Sequence, residues 1–276
     1  MVIKPSFTII GTGFIFPRHV SAIQAVGGEI ADVVNNFNGK NAEWIRKLLE
    51  TESKYVVVLT PNCMHADMVL IARRMNKIVL CEKPLAINSA QVQMLTELGE
   101  IFVVLQLRYH PLVKEIQKHI EKAKKKIKIG MDIGVYRDPE YFTSWKGHKI
   151  KSGGLLFNLG IHYFDLLLHL FGPAKKVKMK YCDERVATGT IEGAKYVCEW
   201  RLSVADNKDA QRRTFTIEVD RDKKEYNFSS KDNLSYENLH VKVYEDLLKG
   251  RGVTPAEALK SIQLVEKLYA TEFNTL

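Results

Sequence analysis

The sequence lacks any apolar run long enough to cross a membrane, since stretches such as Tyr55 to Leu59 have only the length of a strand. It contains only four cysteines, which show neither CxxC pairing nor the spacing of a zinc site. It also lacks internal repeats, low-complexity linkers and a cleavable signal pattern at its start. These absences argue against a membrane protein, a disulfide scaffold and a zinc domain, and we expect a cytoplasmic protein with reduced thiols.

Acidic residues are outnumbered, with 32 aspartates and glutamates against 41 lysines and arginines and a formal net charge of +9. The most basic segment, Lys122 to Lys128, enters a strand pattern in which alternate lysines form a solvated face. No aromatic residues are interleaved with these lysines, as they would be in many nucleic-acid-binding segments. We therefore expect no nucleic-acid partner, and instead a general attraction for small anionic molecules.

The chain opens on a strand, a glycine turn and a helix. The strand pattern Phe7 to Ile10 is followed at once by Gly11-Thr12-Gly13, and Pro17 stands near the start of the helix. Glycines at such a turn let the backbone approach a pyrophosphate, and the helix N-terminus supplies N–H groups with a partial positive charge. The third position of G-x-G-x-x-G is Phe16, so this motif alone is a weak signal.

Repetition of this pattern strengthens the signal. A chain of 276 residues also favours two domains. Alternating strands and helices predict a Rossmann-type α/β domain with a doubly wound parallel sheet, over residues 1–111. The predicted strands are Phe7 to Ile10, Ile30 to Val34, Tyr55 to Leu59, Ile78 to Cys81 and Ile101 to Leu107. The first predicted helix carries Val20, Ile23 and Val26 on one face, and three more helices are predicted over Ala42 to Leu49, Met68 to Met75 and Ala90 to Leu98.

Ligands of such a sheet bind beyond the carboxyl ends of its strands. A carboxylate is expected at the end of the second strand to accept from the ribose hydroxyls, but the chain has Asn35, whose amide can still bond a ribose. No arginine follows immediately to bind the extra phosphate of NADP, so we predict NAD and leave NADP open. The candidate cofactor-binding residues are Gly11, Thr12, Gly13, Phe14, Ile15, Asn35, Thr60, Pro61, Asn62, His65, Glu82, Lys83 and Gln106; His65 alternatively caps the following helix.

The pattern changes after Pro111. Long strands in series with few helices between them predict an α+β domain over residues 112–276, with a large, mostly antiparallel open sheet. We expect a homodimer or homotetramer through this sheet, because an open sheet usually needs its outer face covered. The predicted strands are Ile127 to Tyr136, Lys175 to Cys182, Arg185 to Ile191, Lys195 to Val204 and Arg213 to Val219, and helices are predicted near Leu239 to Leu248 and Ala256 to Leu268.

One apolar helix, Gly153 to Gly172, carries three polar residues. Asn158, His162 and Asp165 fall at i, i+4 and i+7, on one face of a helix, and two glycines at its start leave room for a ligand. The alternative is that His162 and Asp165 satisfy each other inside a core helix. A metal site is disfavoured, since neither a cysteine nor a second well-spaced carboxylate joins them.

The motifs GTGFIFPRH, TPNCMH, CEKPL, LQLRYHP and SGGLLFNLGIHYFD, in this order and spacing, resemble the Gfo/Idh/MocA family of NAD(P)-dependent sugar dehydrogenases. YFTSWKG and SYENLHVKVYEDLLKGRG are most similar to the branch that oxidises the C3 hydroxyl of UDP-N-acetylglucosaminuronate for surface polysaccharide sugars. The resemblance implies a small anionic nucleotide-sugar substrate.

The resemblance also implies roles for individual residues. Lys83 and His162 lie at the reacting carbon as the catalytic pair, and either is the base: Lys83 accepts the proton directly, or it stabilises the alkoxide while His162 takes the proton. Relatives have a cis bond before Pro84, and we predict one here. The candidate substrate-binding residues are Lys83, Arg108, Lys146, Asn158 and His162, with Arg108 and Lys146 facing the uronate and phosphate charges or, alternatively, standing as solvated surface cations.

Two other functions remain open at this stage. One is a dehydrogenase of a free sugar, inositol or other polyol in the same family. The other is a non-catalytic NAD-binding regulator on this fold, against which the presence of Lys83 and His162 counts.

Overall fold

Five short strands form the first sheet of the computed structural model, which describes residues 4–35, 45, 47, 50–229 and 236–272. All pair in parallel in the order β2-β1-β3-β4-β5. Strands β3, β4 and β5 are buried at every position, as expected of a parallel sheet covered on both faces. The predicted Rossmann sheet is confirmed, with β1 at Ser6–Ile10, β2 at Glu29–Val34, β3 at Tyr55–Val58, β4 at Ile78–Cys81 and β5 at Ile101–Val103.

The helices of this first unit follow the prediction with two differences. The first helix buries His19, Ala22 and Ile23, so its covered face is shifted from the one predicted through Val20 and Val26. The helix predicted over Ala42 to Leu49 lies largely outside the described residues. The helices are Phe16–Ala25, His65–Arg74, Ser89–Leu95 and Tyr236–Leu248, with 3-10 turns at Asn62–Met64 and Thr96–Leu98.

The helix Tyr236–Leu248 belongs to this unit although it lies near the end of the chain. Its Tyr244 ring stands edge-on to Phe7 of β1, with ring centroids 5.5 Å apart. The first unit comprises Met1–Gln106 and Ser235–Leu259, and the second comprises Leu107–Leu234 and Lys260–Leu276. The predicted division into residues 1–111 and 112–276 did not anticipate that the chain returns to the first unit at Ser235–Leu259.

The second unit is built on a six-stranded sheet of order β11-β10-β6-β9-β8-β7. Its neighbours pair antiparallel except β6 and β9, which are parallel. A parallel pair requires a long crossover, and the helices between these two strands supply it. The mostly antiparallel sheet is confirmed, with β6 at Ile127–Tyr136, β7 at Ala174–Cys182, β8 at Val186–Gly193, β9 at Tyr196–Ala205, β10 at Arg212–Val219 and β11 at Asp222–Asn227.

One face of this sheet is covered by helices, and the other is polar. Along β10, buried Phe215, Ile217 and Val219 alternate with Thr216 and Glu218, which are only partly buried. Association through the outer face would therefore bury polar side chains, and the homodimer or homotetramer stays a prediction. The helices of the unit are Pro111–Ile120, Pro139–Thr143, Lys149–Ser152 and Ile161–Phe171, together with most of Pro255–Glu272 and a 3-10 turn at Gln106–Tyr109 that begins in the first unit.

The segment Lys149–Phe171 is a longer apolar stretch than we expected from the sequence. By length and composition alone it could cross a membrane, but 72% of its most apolar window is buried inside the protein. That burial is typical of the core helix of a globular unit. The four cysteines all lie in described ranges and form no disulfide, as predicted.

Candidate active site

The glycine turn after β1 has the geometry of a dinucleotide-binding loop. Gly11 has a positive φ of +102°, and a Cβ there would lie 2.8 Å from the carbonyl oxygen of Leu59. At Gly13, by contrast, a Cβ would meet nothing within 4 Å among the described atoms. Backbone is therefore packed tightly on the sheet side of the turn and open on the other, where a pyrophosphate can approach.

Two candidate cofactor residues carry buried polar atoms with no hydrogen-bond partner among the described residues. These atoms are Thr60 Oγ1, which follows β3, and Gln106 Oε1, which follows β5. Buried polar groups in proteins are nearly always hydrogen-bonded. These atoms and the open glycine turn fit a bound dinucleotide at the carboxyl ends of the strands, and the individual contacts stay a prediction.

The remaining candidate cofactor residues line the same strand ends. Phe14 is 79% exposed next to the glycine turn, and Ile15 precedes the first helix. Asn35 follows β2 and is exposed, whereas Pro61 and Asn62 follow β3, with Asn62 buried. Their position agrees with the prediction, and their contacts to a cofactor stay predicted.

His65 holds two strand ends together. Its ring nitrogens lie 2.7 Å from the Thr60 carbonyl oxygen and 2.6 Å from the Pro84 carbonyl oxygen. Burial lowers the pKa of His65, and the two carbonyls oppose that change in part. The ring thus ties the loop after β3 to the loop that carries Lys83. It does not cap the following helix, and its contact with a cofactor stays a prediction.

Glu82 belongs to a buried hydrogen-bonded cluster that the sequence analysis missed. His19 Nε2 donates to Glu82 Oε1 at 3.0 Å, and His19 Nδ1 accepts from the Tyr244 hydroxyl at 2.8 Å. His240 Nε2 lies 3.7 Å from the same Glu82 oxygen. Three of these side chains are fully buried and Glu82 nearly so. The cluster joins the first helix, the end of β4 and the helix Tyr236–Leu248.

The electrostatics of this cluster favour an ionised Glu82 beside a neutral His19. Burial alone would raise the pKa of Glu82, but its two histidine partners hold that pKa well below its usual range. Burial lowers the pKa of His19, and its bond to Glu82 offsets that only in part. Two histidines and a carboxylate also suit a metal ion, but the 3.0 Å hydrogen bond already joins two of the three donor atoms.

The free energy of unfolding is therefore expected to fall as the pH is lowered from about 7.5 to about 5. The folded-state pKa of His19 lies below the ordinary 6.5, so the unfolded chain binds the proton first, and stability present above pH 6.5 is lost on acidification. Glu82 adds a second loss below about pH 4.5, because its folded pKa is lower still. Urea unfolding at a series of pH values measures this slope.

His19→Gln should be less stable than the wild type near neutrality and should show a shallower slope below pH 6.5. His148→Gln, at an exposed position, is the matched control and should keep the wild-type slope. An unchanged slope in His19→Gln would mean that other groups govern the acid response.

Lys83 stands directly after this anchored glutamate. The Lys83-Pro84 bond is cis, as predicted, and the Lys83 backbone N–H donates to Glu82 Oε2 at 3.1 Å. The Lys83 side chain is half-buried. Its backbone is thus fixed at the carboxyl end of β4, where the doubly wound sheet binds its ligand.

In the second unit, Asn158 lies in a π-helical turn, Leu156–Gly160, that precedes the helix carrying His162. A π turn holds about one more residue than an α turn, so Asn158 is offset from the predicted straight stripe. Such turns often occur at functional sites. The two glycines before it are closely packed, since a Cβ at Gly153 would lie 2.6 Å from Phe157 and one at Gly154 would lie 2.8 Å from the Tyr269 hydroxyl. Gly154 also borders the cleft described below, and its role in leaving room for a ligand stays a prediction.

Asp165 pairs with Arg108, and the predicted alternative that it satisfies His162 is replaced by this pair. Arg108 Nε and Nη2 donate to Asp165 Oδ2 and Oδ1, both at 2.8 Å, and both side chains are largely buried. The two-pronged geometry matches the guanidinium charge with a carboxylate. His162 is half-buried on the same helix.

Asn158 and Lys146 lie in one polar cluster. Asn158 Nδ2 donates to the Tyr141 hydroxyl at 2.6 Å and reaches the Lys146 carbonyl oxygen at 3.4 Å. Burial and the nearby Arg137 lower the pKa of Lys146. Arg137, whose guanidinium carbon lies 5.4 Å from the Tyr141 ring centroid, was not among the predicted residues. Period-2 alternation could have found it, because Arg137 continues the buried positions of β6, Ile133 and Val135.

A cleft of about 460 Å³ opens beside this cluster. That volume falls in the ordinary range for ligand pockets. At its edge, Lys149 Nζ lies 4.7 Å from the Tyr269 ring centroid, so a cation and an aromatic ring meet in its wall. Its lining includes Tyr141, Phe142, Lys146, His148, Lys149, Asp183, Glu184 and Tyr269.

A Rossmann unit with an open glycine turn, joined in sequence to a unit built on a mostly antiparallel sheet, defines a two-domain dinucleotide-binding oxidoreductase. The family model for the NAD-binding Rossmann fold of the Gfo/Idh/MocA oxidoreductases matches residues 6–102, and the model for their C-terminal alpha/beta domain matches residues 125–190. The chain belongs to the Gfo/Idh/MocA oxidoreductase family, and the prediction of NAD as the cofactor is confirmed.

Two curated relatives match parts of the chain at low sequence identity. The chain is 28% identical to glucose-6-phosphate 3-dehydrogenase of Bacillus subtilis, over 59% of this chain and 53% of that protein. It is 26% identical to 1,5-anhydro-D-fructose reductase of Ensifer adhaerens, over 64% of this chain and 61% of that protein. The aligned part thus spans little more than half the length of these curated relatives.

Solved structures match over the whole chain. The WlbA (WbpB) dehydrogenase from Thermus thermophilus, in complex with NAD and UDP-GlcNAcA, is 27% identical, with a TM-score of 0.83 over 99% of this chain and 95% of that chain. The WlbA dehydrogenase from Bordetella pertussis, in complex with NADH and UDP-GlcNAcA, has a TM-score of 0.84 over 99% of this chain and 98% of that chain; at 18% identity it supports the fold alone.

Proposed function

We propose that the protein oxidises the C3 hydroxyl of a UDP-linked N-acetylated uronic acid, UDP-N-acetylglucosaminuronate, with NAD as cofactor. The observation that carries this proposal is the similarity along nearly the whole chain to the Thermus thermophilus dehydrogenase solved with NAD and UDP-GlcNAcA. The net charge of +9 supports an anionic substrate. We place the reaction in the cytoplasm, in the synthesis of surface polysaccharide sugars.

The cleft of the second unit supports a nucleotide sugar. Lys149 offers charge to a diphosphate, and the half-buried ring of Tyr269 offers a surface on which a base can stack. Asp183 at the edge of the cleft can accept from sugar hydroxyls. We assign the uridine diphosphate portion to this cleft.

Oxidation of a secondary alcohol also needs a base within hydrogen-bond reach of the hydroxyl. When bound, NAD supplies the hydride acceptor. We assign the proton to Lys83 or His162, and both remain candidates. Asn158 cannot accept a proton, and its bond to the Tyr141 hydroxyl holds its side chain in place to orient a substrate hydroxyl. Arg108 is matched by Asp165, so we assign it a structural role instead of substrate binding.

The proposal predicts that NADH absorbance rises when the purified protein and NAD receive UDP-N-acetylglucosaminuronate. Adding 2-oxoglutarate as a hydride acceptor guards against slow release of NADH, and formation of the 3-keto sugar is then followed by mass spectrometry. UDP-N-acetylglucosamine, which lacks the carboxylate, is the matched control substrate and should react far more slowly. Turnover of glucose 6-phosphate or inositol, with no turnover of the uronate, would contradict this proposal and favour a second candidate function.

That second candidate is a dehydrogenase of a free sugar, sugar phosphate or polyol. It is favoured by the 28% identity to glucose-6-phosphate 3-dehydrogenase of Bacillus subtilis, whose substrate is also anionic. The two candidates differ in the nucleotide, so inhibition by UDP alone separates them: competitive inhibition supports the nucleotide sugar.

A further inference from the structure

Two arginines point to the helix-covered face of the second sheet at one end. On β6, the apolar side chains of Ile129, Met131, Ile133 and Val135 are buried at every second position, and Arg137 continues that series just beyond the strand. On β10, Arg213 lies on the same side as buried Phe215 and pairs in register with Ile133. Both arginines are half-buried, although this face is otherwise apolar.

Arg137 is held in one position by its neighbours. Its Nη1 donates to the Tyr136 carbonyl oxygen at 2.8 Å, and its guanidinium stacks over Tyr141 with 5.4 Å from its central carbon to the ring centroid. Tyr141 is fixed in turn by the 2.6 Å hydrogen bond from Asn158, which also reaches the Lys146 carbonyl oxygen. The guanidinium and the segment carrying Lys146 are therefore parts of one packed cluster.

Three cations act on one another in this cluster: Arg213 on Arg137, and Arg137 on Lys146. Burial lowers the pKa of Arg137, and Arg213 lowers it further. Burial lowers the pKa of Lys146, with Arg137 as the next cause. Asp138 acts in the opposite direction on Lys146, but this carboxylate is exposed and its Oδ1 accepts from the Tyr141 backbone N–H. Gathering cations in a partly buried place costs free energy, and an anion bound beside them lowers that cost.

We propose that Arg137, with Lys146 and Arg213 beside it, binds the carboxylate of the acidic sugar and so selects a uronate over a neutral sugar; this rests on the proposed function. A guanidinium is planar and always charged, and its parallel N–H donors match the two oxygens of a carboxylate. Stacking on Tyr141 fixes the plane of these N–H donors before the ligand binds. Arg137 thereby takes the role that the sequence assigned to Arg108.

The test measures dissociation constants for the protein loaded with NADH, by isothermal titration calorimetry, so that it does not depend on turnover. In Arg137→Met, the dissociation constant for UDP-N-acetylglucosaminuronate should rise roughly 10- to 100-fold, the range expected for losing a charged hydrogen-bonded pair. The constant for UDP-N-acetylglucosamine should change by less than about threefold, since that ligand has no carboxylate to lose. Arg137→Lys should lie between these values. Arg201→Met removes the same charge from an exposed position on β9 and should leave both constants unchanged.

Equal losses for the two ligands, or no loss for either, in a variant with the wild-type melting temperature would overturn the assignment while leaving the proposed function intact. If the wild type binds neither nucleotide sugar, the proposed function fails, and D-glucuronate and 2-oxoglutarate become the probes. Binding of either that weakens in Arg137→Met keeps the carboxylate site and rejects the substrate; binding that is absent or independent of Arg137 rejects both.

Discussion

Replacing Lys83 by methionine is expected to lower kcat for the uronate roughly 10²- to 10⁴-fold, the usual contribution of a positioned acid or base. Methionine keeps much of the length and apolar stem of lysine but can neither accept a proton nor stabilise an alkoxide. The surrounding scaffold should persist, because the backbone at this position is held by the Glu82 carboxylate and the carboxylate by His19. Initial rates with NAD and UDP-N-acetylglucosaminuronate measure the loss.

Two controls separate lost chemistry from lost binding or folding. NAD affinity, followed by calorimetry, should stay within a fewfold of the wild type in Lys83→Met. Lys114→Met removes the same charge from an exposed position on the helix Pro111–Ile120 and should leave kcat unchanged. A kcat for Lys83→Met within tenfold of the wild type would remove Lys83 from proton transfer.

The pH dependence of kcat then distinguishes the two candidate bases. A base must be deprotonated to act, so kcat should rise with pH along a limb that belongs to that group. If Lys83 is the base, the residual activity of Lys83→Met loses this limb while His162→Gln keeps it. If His162 is the base, the pattern is reversed, and the role of Lys83 is to stabilise the alkoxide.

The sheet of the first unit could be predicted because buried parallel strands are continuous apolar runs in sequence. Strand β3, Tyr55–Val58, is an example, and the glycine turn marks the end of the first strand. Strand β11, Asp222–Asn227, was missed because five of its six residues are exposed and its only buried side chain is Tyr226. Its formation depends on hydrogen bonding to β10, which local sequence does not reveal.

The site was predicted where a motif marks it and missed where distant segments meet. Lys83 follows from a strand end and a proline, both local. The cluster around Glu82 depends on His240, which arrives on a helix more than a hundred residues later. Arg108 illustrates the converse. The sequence shows a cation at this position, but it does not show that Asp165, 57 residues away, pairs with that cation. Pairing between distant charges is a property of the fold.

Breaking the Arg108–Asp165 pair is expected to have the largest effect on stability. Both side chains are largely buried, so Arg108→Met leaves a carboxylate that is neither solvated nor paired, at a cost of about 3–5 kcal/mol. The double variant Arg108→Met/Asp165→Leu removes both charges and should recover much of that cost, since apolar residues often replace a buried ion pair without loss. Urea unfolding followed by circular dichroism gives the two free energies.

The exposed pair Arg251–Asp246 provides the control, because Arg251→Met there should cost less than about 1 kcal/mol. The comparison also separates a structural arginine from one that binds substrate. A structural Arg108 predicts a large loss of stability in the single variant, with the Michaelis constant for the uronate restored along with stability in the double variant. A substrate-binding Arg108 predicts the opposite: the Michaelis constant stays high in the double variant however stable it is, because the carboxylate of the substrate has lost its cation.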